Sequence, residues 1–393
     1  MKVKILYLSY NGMMEPLGAS QVLSYLYKIS SDYKYYLISL EKPDDLKNLD
    51  ALNSLKLKLK ENGIIWLPLA YKTDKTGKML NFIRFSISAK NIIKKENIKF
   101  IHCRSYFPAI TAYWLKRKYQ IKYLFDTRGF AFDERADVGS INRNGFLFKL
   151  LKQFEKKLYM NASGINKLSH LGKETILKNK LFQGGNKIEN IEVIPTCVDL
   201  DRFEFHERTY RKPITIGYVG TAIGWYDFDK TLKTLSIIGK VIDFRFLIFN
   251  GSQHEYIQRK VQEWDIDIQK IKIEKVLFSE MPEKLKEIDI ALFYIHPFFS
   301  KRASAATKLA ELFASGIPVL TNAGVGDHEY YIENYKTGKI LNFSQIDKYD
   351  FKEIIVSLLN VETSKNCRYV AEQYFSLDKG VEKYKKMYKE IFK

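Results

Sequence analysis

The sequence predicts an α/β protein of two Rossmann-like, doubly wound domains facing across a cleft. Three observations predict it. Short apolar runs suited to buried parallel strands alternate with amphipathic helical patterns along the chain. The alternation restarts after Pro213, as a second domain requires. A chain of 393 residues suits two domains that each bury a core. The boundaries read from the pattern are 1–196 for an N-terminal domain and 197–376 for a C-terminal domain. A terminal helix within 377–393 is expected to pack back on the first domain.

In chain order, Val3 to Ser9 reads as a buried strand, followed by a loop with Pro16, Leu17, Gly18, Ala19 and Ser20 and then a helix through Tyr27. Strand, small-residue turn and helix form the ligand-binding corner of a doubly wound sheet. The spacing is not GxGxxG, so a nicotinamide-type dinucleotide site is poorly supported. Further strands fall at Tyr35–Leu40, Ile64–Leu67, Phe100–Cys103 and Tyr123–Asp126, with helices at Leu49–Glu61, Ile83–Glu96 and Pro108–Tyr119. DTRGFAFDERAD, 126–137, reads as a charged loop after a strand, where ligand-facing residues collect. Phe146–Met160 fits either a core helix or a basic amphipathic surface helix. Short strands at Gly164–Leu168 and Glu192–Ile194 complete the first half, and Pro195–Phe203 is the crossing.

The second half has strands at Ile214–Val219, Phe244–Asn250, Ile271–Val276 and Ile290–Ile295, with a Gly220 turn after the first. Ser300 to Asp327 then reads as a small-residue loop, a helix from about Ala305 to Ser315, a Gly316 stop, a strand at Ile317–Thr321 and a glycine-rich turn. A helix N-terminus offers unpaired N–H groups and a positive dipole end to an anion. Lys308 in the first turn suits a phosphate and Glu311, one turn on, a hydroxyl-bearing group. An amphipathic helix with solvated charges is the competing reading.

Charge divides the chain unevenly. Residues 1–200 carry 34 basic and 18 acidic side chains, against 30 and 27 in 201–393. A basic half suits an anionic membrane surface or a polyanionic acceptor. It lacks Arg/Gly runs and zinc-ligand spacing, so no nucleic-acid partner is expected. Cys103, Cys197 and Cys367 show neither pairing nor metal spacing, which suits a reducing cytoplasm. MKVKILYLSY reads as a first strand and not a signal peptide, and no window approaches the ~18 apolar residues of a membrane span. The expected location is the cytoplasm, with peripheral contact at the inner membrane face. D-F-D at 227–229 and D-I-D at 265–267 read as solvated carboxylates, so no metal is expected.

The whole chain, in order, resembles the family-4 retaining glycosyltransferases of the GT-B fold. The motifs are IPTCVDLDRF at 194–203, EIDIALFYI, and TKLAELFASGIPVLTNAGVGD. A surface-polysaccharide subgroup has a similar DxRGFxxDE loop, a G-x-x-x-G-W-Y turn like Gly220 to Tyr226, and an S-x-x-T-K-x-x-E helix like Ser304 to Glu311. The resemblance implies that the first domain binds the acceptor and the second the donor. It also implies that Glu311 holds the nucleotide ribose, as the second of a Glu-x7-Glu pair whose first position is Ala303 here. The family's Arg and Lys after the first strand of the second domain are not evident after Gly220. Lys308, Lys301 and Arg302 are the substitute cations, with Thr221 as a hydroxyl donor and Ser304 and Thr307 beside them. Gly18 and Ala19 match the loop that closes over the diphosphate, and Asn322, Gly324, Gly326 and Asp327 form the far wall. Arg128 stands where many relatives have a sugar-contacting histidine; an ion pair with Asp133 or Glu134 is its alternative role.

The implied reaction moves a sugar from a nucleotide diphosphate sugar to a hydroxyl of a saccharide or lipid-linked saccharide, with retention and without a metal or other cofactor. The alternatives are a nucleotide-sugar epimerase or hydrolase, and a non-catalytic nucleotide-sugar or polyanion-binding subunit.

Overall fold

The computed structural model describes residues 2–179, 181–182, 190–264 and 266–393. It divides into two units, Met1–Pro195 with Leu377–Lys393, and Thr196–Ser376. The first unit is built on strands β1 (Val3–Ser9), β2 (Tyr33–Glu41), β3 (Ile64–Ala70), β4 (Phe100–Arg104), β5 (Lys122–Asp126), β6 (Gly164–Lys167) and β7 (Ile191–Val193). They pair in parallel in the order β3-β2-β1-β4-β5-β6-β7. The second unit carries β8 (Ile214–Val219), β9 (Phe244–Phe249), β10 (Ile271–Glu274), β11 (Ile290–Leu292), β12 (Val319–Thr321) and β13 (Gly338–Ile340), ordered β10-β9-β8-β11-β12-β13.

Both orders reverse direction beside the first strand of the unit, between β1 and β4 and between β8 and β11. In open parallel sheets such a switch point leaves a crevice beyond the carboxyl ends of the strands, where ligands bind. The strand sequences are apolar on both faces because helices cover both: Ile5, Leu6 and Leu8 in β1 and Ile214, Ile216 and Tyr218 in β8 are fully buried.

Two segments depart from the sequence reading. The stretch after β1 is helical from Pro16, where proline's fixed φ suits a first helical position, and continues through a π turn at Ala19–Leu23. The supposed loop at 126–137 turns helical at Ala131–Asp137, because Asp133 and Glu134 favour a first turn and Phe132 finds a buried face. The Phe146–Asn161 helix serves both proposed roles, burying Phe148, Leu158 and Tyr159 while leaving Phe146, Leu147 and Leu150 exposed. Helices at His328–Tyr335, Phe351–Leu358 and Val361–Val370 complete the second unit.

The terminal helix Leu377–Phe392 lies on the first sheet. Its Tyr388 hydroxyl meets His102 Nδ1 of β4 at 2.6 Å, and Tyr384 receives a hydrogen bond from Asn166 Nδ2 of β6 at 3.0 Å. Lys122 Nζ donates to the Ile391 carbonyl at 2.6 Å. Among the described residues, no helix is long and apolar enough to cross a membrane.

Candidate functional site

In the second unit, the chain leaves β8 through Gly220, whose φ of +108° is a conformation that favours glycine. The Gly220 carbonyl accepts from Asn250 Nδ2 at 2.9 Å, and Gln253 Oε1 accepts from the Ala222 N–H at 2.8 Å and the Thr221 hydroxyl at 3.0 Å. Thr221 therefore already spends its proton within the loop. These bonds pin the turn that presents Trp225 and Tyr226.

Opposite stands the Thr307–Ala314 helix. No side chain caps its N-terminus, where Ala306 occupies the N-cap. Its other end is closed by the Ile317 N–H on the Leu312 carbonyl at 2.9 Å and the Gly316 N–H on the Phe313 carbonyl at 3.0 Å, with Gly316 at φ +74°. That is the Schellman pattern, and it makes Gly316 the helix stop.

Lys308, in the first turn, runs inward instead of into solvent. The residue is 7 % exposed, and among the described residues its ammonium has no hydrogen-bond partner. It lies 3.7 Å from the centroid of Tyr226, 4.9 Å from Tyr218 and 5.2 Å from Phe293. A Cβ at Gly220 would stand 3.1 Å from its Nζ, so the strand end and the lysine meet directly. Aromatic faces attract a cation, but they do not replace three lost water hydrogen bonds. Burial accordingly pulls the Lys308 pKa down to about 7, against the pull of Glu311.

Glu311 is half-buried one turn along. Burial pushes its carboxyl up to about 7, with Arg202 and Lys308 opposing. Arg202, which the sequence reading did not single out, is fixed by its bond to the Phe278 carbonyl at 3.0 Å. His328 is also unanticipated: it is 1 % exposed, neither ring nitrogen has a partner among the described residues, and burial followed by Lys308 brings its pKa down to about 4. The Thr321 hydroxyl, at the end of β12, is buried and equally unpartnered. Native interiors rarely leave such groups unmet, and His328 and Lys308 lie close enough to influence each other's charge.

The other candidates fall into two groups. Lys301 is buried with its Nζ 3.5 Å from the Trp225 ring, Arg302 is exposed over Phe299 at 5.2 Å, and Ser304 and Thr307 are half-buried at the helix entrance. Ala303 is fully buried at the end of the Phe299–Ala303 turn. Asn322, by contrast, exchanges two 2.9 Å hydrogen bonds with the Ile295 backbone, so its amide holds β11 to β12. Gly324, at φ +84°, gives its N–H to Glu329 at 3.0 Å, and a Cβ there would stand 2.9 Å from Pro297. Gly326 donates to the Lys301 carbonyl at 2.9 Å, and Asp327 precedes the His328–Tyr335 helix.

In the first unit, Gly18 is helical and buried, and a Cβ on it would lie 2.0 Å from the Gly12 carbonyl oxygen. Packing within the chain explains that glycine. Ala19 is half-buried in the same helical run. Arg128, at φ +57°, lies 3.8 Å from Asp126 Oδ2 and donates to Gln21 Oε1 at 3.5 Å. Asp133, its anticipated partner, is engaged by Arg143 at 2.9 Å and Lys152 at 2.8 Å.

The D-F-D carboxylates are not simply solvated. Asp227 caps the Phe228–Ile238 helix and lies 2.9 Å from Lys230 Nζ, while Asp229 accepts from Trp264 Nε1 at 3.1 Å. Of D-I-D, Asp265 lies outside the described residues and Asp267 caps the Ile268–Lys270 turn. Among the described residues no cluster of three or more His, Cys, Asp or Glu is placed to hold a metal.

No family model and no curated protein matches the sequence. Solved structures do match in fold. A glycosyltransferase from Rickettsia africae aligns at a TM-score of 0.71 with 18% identity, covering 100% of this chain and 99% of that one. Sucrose-phosphate synthase from Thermosynechococcus elongatus gives 0.74 at 14% identity, with coverage of 100% and 99%. Anabaena HepE, solved in complex with UDP and glucose, gives 0.68 at 11% identity, with coverage of 98% and 99%. At such identities the likeness is one of fold, and that fold is the two-unit α/β architecture of GT-B glycosyltransferases.

Proposed function

We propose that this chain is a retaining glycosyltransferase of the family-4 type, moving a hexose from a nucleoside diphosphate donor to an acceptor hydroxyl in surface polysaccharide or glycolipid assembly. The observation that carries the reading is Lys308: a buried ammonium with no hydrogen-bond partner among the described residues, beside an uncapped helix N-terminus and the Gly220 strand end. A diphosphate supplies the missing partner, since oxygen acceptors carrying negative charge restore the hydrogen bonds that burial removed.

In the reaction, the bond from the anomeric carbon to the diphosphate oxygen breaks while positive charge grows on the sugar. The electron pair leaves with the diphosphate, the acceptor oxygen forms the new bond to the anomeric carbon, and its hydroxyl proton passes to the departing diphosphate oxygen. Lys308 and the Thr307–Ala314 helix N-terminus are fixed where that charge develops, and preorganised donors of this kind lower a barrier without reorganising. Lys301 and Arg302 add positive potential at the entrance. Glu311, once ionised, accepts from the two ribose hydroxyls, a task suited to a carboxylate's two oxygens. We assign leaving-group stabilisation to these groups and not to a metal, and we place the enzyme at the inner face of the cell membrane. The basic first half and the exposed Phe146, Leu147 and Leu150 support that placement.

A panel of nucleoside diphosphate sugars, each tested with and without saccharide or lipid-linked acceptors, tests the reading. Acceptor-dependent release of nucleoside diphosphate is expected. Release that proceeds equally without acceptor would replace transfer by hydrolysis or epimerisation, and binding without turnover across the panel would leave a binding subunit.

A further inference from the structure

The carboxyl ends of the first sheet hold a second cluster of charge. Ser9, Arg104, Asp126 and Asn166 are aligned across β1, β4, β5 and β6, each as the strand partner of the next. They form one row at the edge where the strand order switches. Arg104 is 3 % exposed, and among the described residues its Nε and Nη1 have no hydrogen-bond partner.

One carboxylate serves two guanidiniums. Asp126 Oδ2 is 3.7 Å from Arg104 and 3.8 Å from Arg128, longer than charge-assisted hydrogen bonds. Its nearer contacts are with Asn166 Nδ2 at 2.9 Å on Oδ1 and the Tyr384 hydroxyl at 3.2 Å on Oδ2. His102, also beside Asp126, has its pKa lowered by burial, which favours its neutral form, and in neither form does an imidazole offset a guanidinium. With Arg128 beside it, the row therefore holds two guanidiniums against one carboxylate, an excess positive charge with spare donors on Arg104, where burial of an uncompensated ion is costly. The chain also takes left-handed conformations just past both strand ends, φ +77° at Ser105 and +57° at Arg128. Neither residue is glycine, and such conformations persist where a fixed side-chain position repays them.

We infer that Arg104 and Arg128 bind a phosphate or carboxylate group at the carboxyl edge of the first sheet. Arg128, 13 % exposed, meets the incoming anion, and Arg104 backs it from within. Two planar guanidiniums suit an oxyanion better than a neutral sugar hydroxyl. The site stands on the first unit alone. That the anion belongs to the acceptor rests on the transferase reading, and makes the acceptor an acidic or phosphate-bearing saccharide.

Calorimetric titration of the full chain with pyrophosphate, alone and after saturation with UDP, tests this. Wild type is expected to bind pyrophosphate in the presence of UDP. Arg104→Met and Arg128→Met each weaken that binding by at least about tenfold, while the UDP affinity stays within about twofold. If the variants instead weaken UDP tenfold and UDP excludes pyrophosphate, the same pair holds the donor's diphosphate. If neither UDP nor any other nucleoside diphosphate binds but pyrophosphate does and is lost in the variants, the anion site stands and the transferase reading fails. Pyrophosphate binding unchanged in both variants overturns the inference, as does no binding to wild type. Arg128→Met, at the more exposed position, keeps the test decisive should Arg104→Met fail to fold.

Discussion

Two buried lysines differ in what surrounds them. Lys152, in the first unit, has a 12 % exposed side chain and pairs with Asp133 at 2.8 Å and with Glu155. Burial lowers its pKa, but the two carboxylates outweigh this and the net shift is upward. Lys308, in the second unit, is 7 % exposed, meets aromatic rings and no hydrogen-bond acceptor among the described residues, and titrates near 7. Burial lowers both, and only at Lys152 do neighbouring carboxylates reverse the shift. A cation with its partners in place belongs to the scaffold; under the proposed function, Lys308 is held for the donor's diphosphate.

The largest effect that would sharpen the contrast lies on the scaffold side. Asp133→Ala removes at once the charge-assisted contacts of a buried carboxylate with both Lys152 and Arg143, while Glu155 stays with Lys152 and Asp137 with Arg143, and is expected to cost about 3–5 kcal/mol in urea unfolding. Lys308→Met comes next: a fall of about 10²–10³ in kcat/KM for transfer, roughly 3–4 kcal/mol, with unfolding stability equal or higher. If Lys308→Met unfolded the protein as Asp133→Ala does, the distinction between the two lysines would collapse. Glu311→Gln, which keeps the shape but weakens acceptance, is expected to raise KM for the donor by about tenfold or more, a loss of some 1.5–3 kcal/mol. The smallest effect belongs to Trp225→Ala, which removes one face from Lys301 and should cost the donor affinity about 0.5–2 kcal/mol. Donor affinity unaltered by that change would leave Trp225 as packing only.

The strands other than β13 were legible because parallel strands buried on both faces read as short apolar runs with small-residue turns between them, whereas the three-residue GKI of β13 gives no apolar run and the strand order depends on pairing between distant segments. The helix carrying Lys308 and Glu311 was legible because Gly316 marks its stop and small residues mark its start. Other features depended on distant partners. Nothing adjacent to Asn322 shows that Ile295 consumes its amide, and nothing near Gly18 shows that the Gly12 backbone leaves no room for a Cβ. Arg104, just past the predicted Phe100–Cys103 strand, drew no notice, since the missing hydrogen-bond partners of its Nε and Nη1 among the described residues appear only when β4 and β5 lie side by side. His328 likewise carried no spacing signal; burial beside Lys308 sets its state.

The central claim is that Lys308 waits for an anion, and proton linkage addresses it most directly. In the ligand-free fold, its depressed pKa means fewer bound protons than in the unfolded chain between about pH 7 and 10.5, so its contribution to stability rises with pH across that window. A bound diphosphate raises that pKa again. Calorimetry of UDP binding at pH 8 in two buffers of different ionisation heat should therefore show uptake of up to about one proton per nucleotide, abolished in Lys308→Met together with most of the affinity. Binding of equal strength in both proteins, with no proton taken up by wild type, would contradict the account.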